Sequence, residues 1–60
     1  MLFRVCRSGS PAKWIVVVEG QSYGEYLDKN QALMDAIEAA KEASEAGTAA
    51  EVWEEAARVY

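Results

Sequence analysis

The chain has no histidine and only one cysteine among its 60 residues. Histidine is the most frequent general acid or base in enzymes, so its absence argues against catalysis by ordinary proton transfer. One cysteine cannot form a disulfide within the chain, and a zinc site of the usual Cys/His kind is excluded as well. We therefore expect no catalytic residues, no metal site and no cofactor. Packing or self-association must then stabilise the fold.

Long apolar runs are also missing. The longest, residues 14–18, is far shorter than the roughly 20 residues that a membrane-spanning helix needs. Arg4 and Arg7 interrupt the N-terminal segment too early for the apolar core of a signal peptide. A single free cysteine fits a reducing compartment. These features predict a cytoplasmic protein with no membrane partner.

The charge is acidic and unevenly distributed. The net charge is −4, and residues 21–60 hold nine carboxylates against three cations, whereas residues 1–20 hold three cations against Glu19. Proteins that bind nucleic acids usually present a basic surface, so direct nucleic-acid binding is not expected. The competing hypothesis is a small patch of N-terminal cations and aromatics: Arg4, Arg7, Lys13, Phe3 and Trp14.

A hydrophobic content of 52% and a charged content of 27% indicate one globular domain over residues 1–60. Residues 2–7, 13–19 and 22–27 predict three strands, with a two-residue hairpin loop at Gly20-Gln21. Asp28 is suited to cap the start of a helix, and Gly47 is suited to end it. The Ala-, Glu- and Lys-rich residues between them favour that helix.

The last fourteen residues, "GTAAEVWEEAARVY", can be interpreted as a helix or as a strand. A single strand should alternate apolar and polar side chains, but like residues stand in adjacent pairs at 52–53, 54–55 and 56–57. At helical spacing the apolar side chains share one face. The sequence thus predicts an α+β fold with a three-stranded antiparallel sheet, one long helix and a second short helix packed on one face. The alternative is a final strand, in a ββαβ order.

The stretches "KWIVVVEG" and "YLDKNQALMDAIEAAKEASEAG" resemble a small bacterial domain family of unknown function. Its members have a strand with the pattern W-x-V-x-x-E-G, followed by an Ala/Glu-rich helix. After the helix they resume with a short valine-rich strand, so the resemblance implies a strand where periodicity favours a helix. The family has no established activity, and the resemblance therefore implies a fold and no function.

Carboxylates recur along the predicted long helix at intervals of three, four and three residues. They share an arc of roughly 80° and span about 15 Å of the helix axis. We interpret them as a surface for a larger protein with a basic groove; the alternative is a solvated face that keeps the domain soluble. A second helix would add a parallel row. The predicted partner-binding residues are Asp35, Glu38, Glu42 and Glu45, with Glu51, Glu54 and Glu55 in the second row.

In size and charge the chain is similar to small acidic proteins of phages and mobile elements, including anti-CRISPR proteins. That similarity implies an inhibitor that imitates the phosphates of a nucleic acid and occupies a nucleic-acid-binding site on another protein. The alternative function is that of a bacterial housekeeping domain with a structural or dimerisation role.

The strand at 13–19 is apolar on both sides. Trp14, Val16 and Val18 point to one face of the sheet, while Ile15 and Val17 point to the other. Helices on one side can cover only one of these faces, so the five residues are candidates for a homodimer or partner face. Alternatively, the chain's own ends or long side chains cover it. Cys6, in the first predicted strand, is interpreted as a small apolar residue, with a reactive thiol or an intermolecular disulfide as the alternatives.

Overall fold

The computed structural model describes residues 1–9 and 11–60. Over these residues the strands form one mixed sheet in the order β3-β2-β1-β4-β5, and a single helix lies across one face. No helix in the described part of the chain is both long and apolar enough to cross a membrane. The elements are β1 (Leu2–Ser8), β2 (Lys13–Val18), β3 (Gln21–Tyr26), α1 (Lys29–Glu45), β4 (Glu51–Glu54) and β5 (Ala57–Arg58).

The three predicted N-terminal strands are confirmed as an antiparallel unit, in which Val5 of β1 pairs with Val16 of β2. The loop between β2 and β3 lies one residue earlier than predicted. It consists of Glu19 and Gly20, with φ angles of 53° and 81°, and Val18 pairs with Gln21 across it. Positive φ at both loop positions matches the twist of the flanking strands, and glycine takes the second position without steric cost.

Both predicted ends of the long helix are confirmed. The Asp28 side chain caps α1 by accepting a hydrogen bond of 2.8 Å from the backbone N–H of Asn30. At the other end Gly47 has a φ of 92°, and the N–H of Thr48 donates to the carbonyl of Ala43 at 2.9 Å. This 6→1 bond closes a Schellman motif, which requires a left-handed residue at the position of Gly47.

The predicted second helix is wrong, because residues 51–58 form a hairpin of two short strands. Glu54 pairs with Ala57 across the two-residue loop Glu55-Ala56, and β4 joins the sheet parallel to β1. The loop reverses the chain after only four residues of β4, so side-chain alternation starts again in β5. Alternation over one continuous strand fails because of this reversal, and also because Val52 and Trp53 lie on opposite faces of β4 and are both apolar. The α+β class stands, with a five-stranded mixed sheet in place of three antiparallel strands.

The core lies between α1 and the central strands. Three alanines on α1 are fully buried at intervals of four residues: Ala32, Ala36 and Ala40. They face the buried side chains of β1, β2 and β4, which are Phe3, Val5, Val16 and Val52. Since alanine has no side chain beyond Cβ, the helix backbone can approach the sheet closely. Leu33 and Ile37 pack at the flanks of this contact.

The opposite side of the sheet, here called the open face, has no helix over it in the described part of the chain. Alternation and register place Cys6 beside Ile15 and Arg4 beside Val17 on this side, with Trp53 next to Arg4. Ile15, Val17 and Trp53 remain half-buried. A two-layer domain of this size therefore has one packed sheet face and one unpacked sheet face.

Candidate protein-binding surface

The predicted acidic residues of α1 all lie within the helix as expected. Asp35 is half-buried, and Glu38, Glu42 and Glu45 are exposed. Asp35, Glu38 and Glu42 also line one shallow groove together with Tyr23 and Ala39. Three of the four predicted carboxylates are therefore adjacent to one another, and Glu45 continues the series at the last residue of the helix.

Tyr23 reaches this groove because of an irregularity in β3. The register shifts so that Val16 pairs with Gly24 while Val17 pairs with Ser22, which leaves Tyr23 as the extra residue of a β-bulge. A bulge redirects the side chain of its unpaired residue. The Tyr23 ring packs edge-to-face on Phe3, with 6.3 Å between ring centroids, and is 55% exposed. Sequence reasoning missed Tyr23, because a bulge position cannot be read from strand alternation.

The helix carboxylates form no ion pair within the part of the chain that the structure describes, although Lys41 lies beside two of them. Among the described residues the ion pairs join Lys13 to Glu25, Lys29 to Glu54 and Arg58 to Glu51. None includes a carboxylate of α1. Lys41 lies beside Asp35 and Glu38, next to Met34 and Ile37, and makes no ion pair within the described chain. The negative charge of this surface is thus available to a partner.

The Asp35 carboxylate affects the pKa of the neighbouring Tyr26 phenol. Partial burial, followed by the interaction with the Asp35 carboxylate, raises the pKa of Tyr26 above its ordinary value of 10.0. Tyr26 sits here because its ring lies over Gly24, where an added Cβ would stand 3.1 Å from the tyrosine oxygen. The phenol therefore stays neutral around pH 7 and adds no charge to the surface.

The second predicted row of carboxylates does not form, since it required a second helix. Glu51 lies at the open face, where it accepts a hydrogen bond of 2.6 Å from Trp53 Nε1 and approaches Arg58 at 3.8 Å. Glu54 is paired with Lys29 at 3.3 Å. Glu55 lies in the β4–β5 loop with a φ of 54°. These three side chains do not extend the helix surface, and two of them are already neutralised.

The five apolar residues of β2 are divided between the two faces as the alternation predicts. Trp14, Val16 and Val18 face α1, where Val16 is completely buried and the other two pack against the core. Ile15 and Val17 lie on the open face. Only these two of the five predicted residues remain available to a second molecule at the sheet.

The N-terminal cations do not form one patch. Arg4 and Lys13 belong to the open face by register, whereas Arg7 pairs with Trp14 and lies 6.0 Å from the centre of its ring, on the helix side. Lys29 approaches the same ring at 5.6 Å. The cation–π contacts hold these groups to Trp14, so the arrangement does not resemble a basic nucleic-acid surface.

Comparison with protein-family models, curated proteins and solved structures gives no match. The resemblance to a bacterial domain family remains a prediction from the sequence. One of its implications, a strand after the long helix, agrees with β4.

Within residues 1–9 and 11–60, no group of three or more Cys, Asp and Glu side chains is close enough to hold a metal ion. Cys6 is half-buried in β1 at the open face.

Chemically, the surface on α1 offers fixed negative charge, one aromatic ring and a few exposed apolar groups, which suits it to binding.

Proposed function

We propose that this chain is a non-catalytic small acidic protein that binds a basic surface of a larger protein through the carboxylates of α1. The observation that carries the proposal is the absence of any ion pair at these four groups, whereas Glu25, Glu51 and Glu54 are paired within the described chain. The proposed contact residues are Asp35, Glu38, Glu42 and Glu45, with Tyr23 as an aromatic neighbour.

The spacing of these carboxylates supports imitation of a nucleic-acid strand. Four charges within about 15 Å of helix axis give about one charge per 5 Å. One strand of B-DNA carries about one charge per 3.4 Å of its axis. The proposed partner is therefore a protein groove that otherwise holds nucleic acid. The chain would act there as a cytoplasmic inhibitor, in size and charge like an anti-CRISPR protein.

The helix is a suitable support because both of its ends are fixed, by the Asp28 cap and by the Schellman motif at Gly47. A preorganised row of charge loses little conformational entropy on binding. Its long-range attraction accelerates encounter with a basic groove, and salt weakens that attraction. We expect binding that is fast at low ionic strength and strongly dependent on salt.

A paired charge-reversal experiment tests this function. The variant Glu38→Lys/Glu42→Lys changes the net charge by the same amount as the control Glu25→Lys/Glu55→Lys, which lies away from α1. Each protein is immobilised and used to capture partners from cell lysate, with elution by salt and competition by duplex DNA. The proposal requires capture by the wild type and the control, its loss in the helix variant, and displacement by DNA.

Equal capture by the wild type and the Glu38→Lys/Glu42→Lys variant excludes the α1 surface as the contact. Loss of capture in both double variants would mean that net charge alone matters. Far-ultraviolet circular dichroism of each variant checks that the fold is intact, which is expected because Glu38, Glu42, Glu25 and Glu55 are all exposed.

A structural role through self-association is the second candidate function. It is favoured by the open face, where Ile15 and Val17 are half-buried although no helix of the described chain covers them. Such a role requires only a second copy of this chain.

A further inference from the structure

The centre of the open face is apolar and continuous across two strands. Ile15 and Val17 are successive residues on this side of β2, and Cys6 lies beside Ile15 in the register. Trp53 extends the apolar surface on β4, beyond Arg4. Antiparallel sheets that face water normally carry polar side chains on the solvated side. This face departs from that pattern at its middle.

The rim of the open face is polar, and its charges are matched within one molecule. Lys13 and Glu25 approach to 3.9 Å at one corner, and Arg58 and Glu51 approach to 3.8 Å on the far side of the sheet. Glu19 accepts a hydrogen bond from the backbone N–H of Leu2 at the edge where β1 begins. Apart from Arg4, which lies between Val17 and Trp53 and is in none of the ion pairs of the described residues, the face has the apolar centre and polar rim that are usual in protein–protein contacts.

Charge balance indicates which occupant the face suits. The open face and its rim carry three cations and three carboxylates, so they are neutral as a set: Arg4, Lys13, Arg58, Glu19, Glu25 and Glu51. The net charge of −4 then lies on the remainder of the molecule, and α1 with its cap Asp28 carries −3 of it. Two copies would repel each other through their helix surfaces and would not repel each other through their open faces.

The size of the face is sufficient for a weak contact. With strands about 4.8 Å apart and a rise of about 3.3 Å per residue, the sheet measures roughly 20 Å on each side. That corresponds to about 400 Å² of projected area per copy, and protruding side chains increase the accessible area further. Two copies together then cover about 800 Å² of projected area, which is below the roughly 1,200 Å² at which specific interfaces of standard size begin, so the contact is a weak one.

We propose that the open face is the contact between two copies of this chain, packed sheet against sheet with both helices outward. The resulting assembly has four layers, α-β-β-α, with the sheets about 10 Å apart. It rests on self-association, the second candidate function above, and names its contact; it stands independently of the binding function proposed for α1. If both proposals hold, the dimer presents two acidic helices on opposite sides and is bivalent toward basic partners.

Sedimentation equilibrium across a concentration series tests the dimer, with Val17→Glu as the principal variant. We expect the wild type to dimerise within a range of about 1 to 500 µM, and Val17→Glu to raise the dissociation constant at least about tenfold. Arg4→Glu is a second variant at an exposed position, so it leaves the core intact. It changes the neutral face to one of charge −2 and should also weaken the dimer.

The control is Met34→Glu, which adds the same carboxylate at a 69% exposed position on α1 and should leave the dimer unchanged. Cys6 supplies an independent readout, because it is the only cysteine and lies on the proposed contact. Its reaction with a maleimide should slow as wild-type concentration rises. In Val17→Glu the rate of this reaction should not change with protein concentration.

A wild type that remains monomeric through about 500 µM would overturn the proposal, since the proposal requires dimerisation within that range. A dimer that survives both Val17→Glu and Arg4→Glu, or that Met34→Glu also dissociates, would overturn it too by locating the contact elsewhere. A monomer that still captures a basic partner leaves the α1 proposal standing. A dimer that captures nothing leaves only the present inference standing.

Discussion

Lys29 and Glu54 join the first turn of α1 to the last residue of β4, with 3.3 Å between Nζ and Oε2. A cation at the start of a helix is unfavourable toward the helix dipole, and no acidic residue occupies this first turn. The carboxylate of Glu54 and the ring of Trp14, 5.6 Å from Nζ, offset that cost. This contact helps to attach the C-terminal hairpin to the remainder of the domain.

Replacing Lys29 with Met should destabilise the fold by about 0.5 to 1 kcal/mol, a value already reduced for solvent screening. The side chains of Lys29 and Glu54 are 41% and 30% exposed, so the pair is only partly protected from water. Urea unfolding at neutral pH measures the loss. Lys41→Met is the matched control, and we expect it to change the unfolding free energy by less than about 0.5 kcal/mol, because Lys41 makes only helix-surface contacts with Glu38 and Glu45. An equal loss in both variants would contradict a specific role for the pair.

Local sequence signals predicted the parts of the fold that depend on local chemistry. Asp28 and Gly47 set the ends of α1, and the alternation in β2 assigned Ile15 and Val17 to one face. The C-terminal hairpin was missed because Ala and Glu favour helices, and because a four-residue strand is too short to show period two. Its pairing with β1 joins residues some fifty positions apart. Tertiary contact overrides helix propensity there.

The candidate surface was also predicted only in part from the sequence. The carboxylates of α1 could be placed from helical spacing alone, since the helix itself was correctly predicted. Tyr23 could not be added to them, because its direction follows from a register shift between Val16 and Val17. The ion pairs of Glu51 and Glu54 depend on strands that the sequence did not reveal. Sequence periodicity therefore placed charges along one element and failed between elements.

Enlarging Ala36 should disrupt the contact between helix and sheet. Ala36 is fully buried, and its small side chain lets α1 approach β1 and β2. Ala36→Leu inserts three carbons into this contact and should cost about 1 to 3 kcal/mol in urea unfolding. Ser44→Leu, at an exposed position on the same helix, is the control and should change stability by less than about 0.5 kcal/mol. A neutral result for Ala36→Leu would contradict close packing.

The raised pKa of Tyr26 predicts how stability changes at alkaline pH. Below about pH 10 the phenol is neutral in both the folded and the unfolded chain, so it contributes no pH dependence. As pH rises above that value the unfolded chain ionises first, and stability falls until the folded chain ionises too. Phenolate absorbance in a Tyr23→Phe/Tyr60→Phe background follows Tyr26 alone. Asp35→Asn should lower its pKa, and an unchanged titration would exclude the influence of Asp35.

Two glutamates in hairpin loops have left-handed backbones, and they should respond differently to substitution by glycine. Glu55 and Glu19 have φ angles of 54° and 53°, a conformation that costs a non-glycine residue about 1 to 2 kcal/mol. Glu55→Gly removes this cost, and after the entropy of glycine is subtracted it should stabilise the fold by about 0.5 to 1 kcal/mol. Thermal and urea unfolding measure the gain.

Glu19→Gly relieves the same backbone cost but also removes a carboxylate that accepts the N–H of Leu2 at 3.3 Å. A net hydrogen bond contributes about 0.5 to 1.5 kcal/mol, so this variant should gain little or lose stability. Glu19→Asn suits the left-handed position beside Gly20, and it should fall between the two outcomes. Equal gains from Glu55→Gly and Glu19→Gly would show that the bond to Leu2 contributes nothing to the edge where β1 begins.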